Sequence, residues 1–165
     1  MINNIAVFIS DHGLGHLTRL APVINELYRT FPNAIFHLIT SVNQFFIRER
    51  LQEIPEKQMR ILNIKISVGV SEEDNSVSTS PCRTIERWRA HWKQHFKSIY
   101  GIALEEHNDS DSVDKSNSMV YMIEEFLKPF PIQLIVWDVP EIAPVIAKRL
   151  SEKDDSNIWP ISIGK

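Results

Sequence analysis

Two histidines, two glycines and an arginine crowd one short stretch of this chain, Asp11-His12-Gly13-Leu14-Gly15-His16-Leu17-Thr18-Arg19. An imidazole can take a proton from a hydroxyl near neutral pH. Glycines beside a helix start let backbone amides approach an anion. A loop that only cradles phosphate has no use for histidine, so the pattern points to proton transfer at a ligand. A general base also needs a group that fixes its tautomer and offsets the charge it gains. Asp138 closes the apolar run Ile-Gln-Leu-Ile-Val-Trp that starts at Ile132, and is the candidate for that role. His16 and Asp138 are therefore the expected catalytic pair. His12, Gly13, Gly15 and Arg19 are the expected ligand contacts. His12 and His16 both stay open as the base, and Asp138 has a second reading as the cap of a helix starting near Val139 or Pro140.

These residues lie far apart in sequence, so the fold must bring them together. Ile5, Val7 and Ile9, with Ala6 and Phe8 between them, are apolar on both faces and suit a central parallel strand. Leu17, Leu20, Ala21, Ile24, Leu27, Tyr28 and Phe31 recur at helical spacing, with Pro22 expected near the first turn. Further strands are predicted over 34–40, 59–67, 132–137 and 157–163. Helices are predicted over 42–51, 84–104, 118–130 and 141–150, the last with Pro144 early in it. Residues 68–81 read as a polar loop and 153–156 as a turn. Residues 107–118, rich in Asp, Asn and Ser, read as a mobile insertion. This order predicts an α/β fold, an open, mostly parallel Rossmann-like sheet of about five strands with helices on both faces. In the common order 3-2-1-4-5 the first strand neighbours the strand ending at Asp138. Both carboxyl ends then open onto one crevice, where ligands bind.

Composition narrows the function. The chain has 165 residues, read as one domain over 1–165, and 43% are hydrophobic, enough for a sizeable core. A net charge of −3 offers no basic surface for nucleic acid. The single cysteine, Cys82, cannot form an internal disulfide. The sequence carries no signal peptide or transmembrane pattern, so a cytoplasmic protein is expected. The dinucleotide fingerprint needs a third glycine where Thr18 stands, and an acidic residue after the second strand, which ends Thr40-Ser41-Val42-Asn43. NAD is set aside, and no cofactor is expected. His91 and His95 share a helix face without a third ligand, which reads as a surface pair, so no metal is expected either. Trp88, Trp92 and Phe96 read as a stripe packed on the sheet.

Gly13-Leu14-Gly15-His16-Leu17-Thr18-Arg19 resembles the glycine-histidine loop of GT-B glycosyltransferases. It is most similar to the glycosyltransferase-like N-terminal domain of arabinokinases, whose loop reads G-x-G-H-x-T-R. Asn33 to Ser41, Val136-Trp137-Asp138 through Ala147, and the Val68-Gly69-Val70 step are similar to segments of the same group. Asp11 and His12 stand where small residues are more usual. The resemblance implies a base at His16 oriented by Asp138, a nucleotide-sugar donor and a hydroxyl acceptor. Arg19 and the amides near Gly15 would face the diphosphate. It also implies a second, donor-binding domain or subunit, which this sequence lacks, so the chain alone is expected to be inactive. The alternative is a non-catalytic sugar- or nucleotide-binding or regulatory remnant of the same fold. A small nucleotide-binding module is a third option.

Overall fold

The computed structural model describes residues 2–12, 14–67, 83, 85–87, 90, 119–138, 142–154 and 158–163. Residues Met1–Ser67 and Ile123–Lys165 form one compact unit, and Val68–Met122 form another. The first unit holds β1 (Asn4–Ile9), α1 (Leu14–Thr30), β2 (Ile35–Thr40), α2 (Gln44–Arg50) and β3 (Met59–Asn63), with a 3-10 turn over Glu56–Gln58. After α3 (Met119–Leu127) it continues with β4 (Leu134–Asp138), α4 (Ile142–Asp154) and β5 (Trp159–Ser162). In the second unit Arg83, Ile85, Glu86, Arg87 and Ala90 are helical. The 68–81 loop, most of the expected 84–104 helix, the His91/His95 pair, Cys82 and the 107–118 insertion lie outside the described residues.

The five strands pair in parallel in the order β3-β2-β1-β4-β5. The fold is α/β and Rossmann-like. Every residue of β1 is buried, as its two-sided apolar pattern requires of a central strand. Chain progression runs one way from β1 to β3 and the other way from β4 to β5. Right-handed crossovers therefore put α1 and α2 on one face and α4 on the other. Ile5, Val7, Ile9, Phe36, Leu38, Leu134 and Val136 pack under Leu17, Leu20, Ala21 and Ile24 of α1 in one core. Each large side chain buried there contributes about 1.5–3 kcal/mol. Asp138 shares the alternation of Leu134 and Val136, so its side chain falls on the α1 face, and it pairs in register with Ile9.

Some boundaries differ from the sequence reading. Helix α1 begins at Leu14, which moves Pro22 into the helix interior. The ring removes the bond to the Thr18 carbonyl, but Thr18 and Pro22 are both exposed, so water can take its place. Helix α2 starts one residue after Asn43, whose side chain accepts from Phe45 N–H at 2.9 Å. Strand β3 stops at Asn63 because β2 ends at Thr40, leaving only Ile64 N–H to reach the Thr40 carbonyl at 3.2 Å. Helix α4 runs through Lys153 to Asp154, where a turn was expected, and Lys148 and Glu152 pair one turn apart within it at 3.8 Å. Strand β5 is an exposed edge. Trp159 and Ile163 direct their N–H groups to β4, so Pro160 falls on the outward register, where its missing donor blunts pairing with another strand.

Candidate active site

The carboxyl ends of β1 and β4 meet the first turns of α1. His16 is the third residue of that helix, and Arg19 follows three residues later on the same side. Asp138 is the last residue of β4 and is fully buried. His16 Nδ1 lies 2.8 Å from Asp138 Oδ2. One Arg19 guanidinium nitrogen lies 3.1 Å from the same oxygen and 3.0 Å from His16 Nδ1. The structure thus joins residues separated by most of the chain.

Donor and acceptor roles follow from the groups themselves. A carboxylate only accepts, so His16 Nδ1 carries the proton and donates it to Asp138. A guanidinium only donates, so Arg19 cannot bond to a nitrogen that already carries hydrogen. Its partner is Asp138 Oδ2. This leaves His16 Nε2 with its lone pair free, the state a general base needs. Two cationic or polar donors on one oxygen also compensate the burial of the Asp138 charge. The other carboxylate oxygen, Oδ1, is buried without a hydrogen-bond partner among the described residues. The Asp138 side chain meets His16 and Arg19 of α1.

His12 is half-buried before the helix, and its Nε2 has no hydrogen-bond partner among the described residues. Gly13 lies outside the described residues. Gly15 sits inside the first turn of α1 rather than in a loop, and a Cβ there would meet nothing within 4 Å. Its position is open space, so packing does not demand glycine. The Arg19 guanidinium, an expected diphosphate contact, reaches Asp138. No cluster of metal-ligating residues occurs among the described residues.

Sequence reasoning missed a second constellation at the same rim. Asp11 accepts from Ser41 Oγ at 2.7 Å and from Ser67 Oγ at 2.8 Å. Ser67 Oγ lies 2.8 Å from Ser10 Oγ. Burial alone would raise the Asp11 pKa, but the two serine hydroxyls, its own backbone N–H and His12 together hold it below the usual carboxylate value. The only sequence signal was polar residues directly after strand-like runs.

No family model matches the chain, and no curated protein matches it. Two solved structures are similar in chain course. One is UDP-glucose:anthocyanidin 3-O-glucosyltransferase in complex with UDP, with a TM-score of 0.48 and 16% identity, covering 98% of this chain and 29% of its own. The other is CalG4, the calicheamicin glycosyltransferase, with a TM-score of 0.46 and 15% identity, covering 99% and 31%. The chain therefore spans less than a third of the length of either. At such identities no activity carries across. Among the described residues no helix is long and apolar enough to cross a membrane.

Replacing Arg19 with alanine is expected to cost about 1 kcal/mol of stability, since its side chain is more than half exposed and its partner is buried. Urea denaturation checks this. Combining Arg19→Ala with Asp138→Asn should add less than the sum of the two, because the pair shares one interaction.

Proposed function

We propose that the chain is the acceptor-side half of a GT-B-type glycosyltransferase, closest in its loop pattern to the glycosyltransferase-like N-terminal domain of arabinokinases. The observation that carries this reading is the 2.8 Å contact between His16 Nδ1 and Asp138 Oδ2 at the carboxyl rim of the sheet. His16 Nε2 takes the proton of an acceptor hydroxyl. The freed oxygen attacks the anomeric carbon of a nucleotide sugar, and a nucleoside diphosphate leaves with the electron pair of the broken bond. Asp138 keeps the ring in its productive tautomer and offsets the imidazolium charge that develops. The leading amides of α1, near Gly13 and Gly15, favour the negative diphosphate. Arg19, exposed at its tip, can exchange Asp138 for a phosphate oxygen. His12 is a second ligand contact at the loop.

The donor side belongs to a further domain or subunit in this reading. The direct test is a turnover assay on the whole gene product with a panel of UDP-sugars and hydroxyl acceptors. Acceptor-dependent release of nucleoside diphosphate is expected. Saturable NAD binding without such release overturns the proposal in favour of a dinucleotide-binding module. Saturable sugar or nucleotide binding without release overturns it in favour of a non-catalytic remnant.

A further inference from the structure

Asp11 begins the segment that carries both histidines, and its carboxylate bonds into a polar network at the neighbouring strand ends. Its two oxygens reach two different segments. Oδ2 accepts from Ser41, the first residue after β2, and Oδ1 accepts from Ser67, beyond the end of β3. Because Ser67 spends its only hydrogen on Asp11, its oxygen must accept from Ser10. The Ser10 hydroxyl is fully buried, so it needs that acceptor. One carboxylate thus sets the direction of a hydrogen-bond chain, from Ser10 to Ser67 to Asp11, with Ser41 closing on the other oxygen. The ends of β1 and β2 and the segment after β3 are tied at one point.

His12 makes no side-chain hydrogen bond at Nε2 among the described residues. Gly15 has no packing neighbour around its Cβ position. Buried Leu17, Leu20, Ala21 and Ile24 hold the body of α1, and Asp11, three residues before its first residue, is bonded to the neighbouring strand ends. We propose that Asp11 is a positioning residue, clamping the start of the glycine-histidine segment to β2 and to the segment after β3 so that His16 meets Asp138. The proposal rests on the reading of His16 as the base, but its test needs no substrate.

The test uses the full-length, nitrogen-15-labelled chain. Long-range proton–nitrogen correlation spectra read the histidine rings near neutral pH, and far-UV circular dichroism verifies folding. In the parent protein His16 is expected to show one tautomer, protonated at Nδ1 and bare at Nε2. Asp11→Ala should lose that single-tautomer signature and give a mixture of both forms. Asp11→Asn should retain it, because the amide oxygen can still accept from Ser67 and the amide nitrogen can donate to Ser41 Oγ, leaving the Ser10-to-Ser67 direction unchanged. Folded Asp11→Ala with the parent signature overturns the proposal. So does Asp11→Asn losing the signature as completely as Asp11→Ala, which makes the charge and not the clamp responsible. Should Asp11→Ala fail to fold, Ser67→Ala removes one arm, and an unchanged His16 ring in that variant overturns the clamp. Failure of the transferase assay leaves these outcomes untouched.

Discussion

Replacing His16 with alanine is expected to lower the rate of sugar transfer by about 10²- to 10⁴-fold, the range found when a positioned general base is removed. That loss equals about 3–5 kcal/mol of transition-state stabilisation, at 1.36 kcal/mol per tenfold. The loss should fall on kcat, with little change in the KM for the nucleotide sugar. The imidazole acts on the acceptor hydroxyl as the bond forms, and makes no ground-state contact with the donor in this mechanism. Asp138→Asn tests the orienting half. It keeps the shape of the buried side chain but removes the charge that fixes Nδ1–H, so a drop in kcat is again expected. His12→Ala separates the two candidate bases, because His12 Nε2 has no hydrogen-bond partner among the described residues, whereas His16 is bonded to Asp138. It should lose much less than His16→Ala. The measurement is the initial rate of nucleoside diphosphate release by the whole gene product. Unchanged kcat in His16→Ala removes that residue from the mechanism.

Acidification from pH 7 to pH 4 is expected to destabilise the fold by about 3 kcal/mol through one residue, His37. Its ring is fully buried on β2, beside Phe130 at a centroid distance of 4.4 Å and Phe126 at 6.0 Å. Nε2–H donates to Asn4 Oδ1 at 3.0 Å, and Nδ1 is buried without a partner among the described residues. Burial first, and the positive charge of Arg60 second, push its pKa from 6.5 down to about 4. The folded value lies below the unfolded one, so the unfolded chain binds more protons between these limits. Stability is therefore full above about pH 6.5, falls as pH drops, and levels off once pH passes below about 4. Arg60 also sits 4.6 Å over the Phe130 ring, so a second positive charge under that ring is opposed by the first. Urea denaturation across this range checks the slope. His37→Phe should flatten it, whatever its effect at neutral pH. Asp11 acts in a lower window, since its depressed pKa releases stability only as pH falls through the carboxylate range. An equal pH slope in the parent and the His37→Phe variant excludes the histidine as the cause.

Much of the frame was legible from local patterns. An all-apolar strand, a helix of one-sided periodicity and a polar residue at each strand end are properties of neighbouring residues, and they follow from backbone geometry and burial. From these came the α/β class, the parallel order and the neighbourhood of β1 and β4. Boundaries were less legible. Pro22 was expected near the first turn, but an exposed helix face tolerates a missing bond, and the helix begins eight residues before it at Leu14. Of the turn proposed at 153–156, Lys153 and Asp154 continue the helix, and residues 155–156 lie outside the described residues.

The candidate pair was legible for a different reason. Topology restricts which strand ends are adjacent, and only a few residues capable of proton transfer occupy those ends. The partners of Arg19 and Asp11 were not legible. Arg19 lies on a helix surface where sequence offers phosphate, solvent or a neighbouring side chain alike. The tertiary structure brings His16 and Arg19 together on Asp138 Oδ2. Ser41 and Ser67 look like ordinary polar residues after strands until the parallel register brings both within 3 Å of one carboxylate. The sequence by itself determined which elements form and which strand ends adjoin, because these depend on periodicity and handedness. Tertiary structure alone decided which polar groups satisfy one another, because a hydrogen bond depends on distances of tenths of an ångström between side chains remote along the chain.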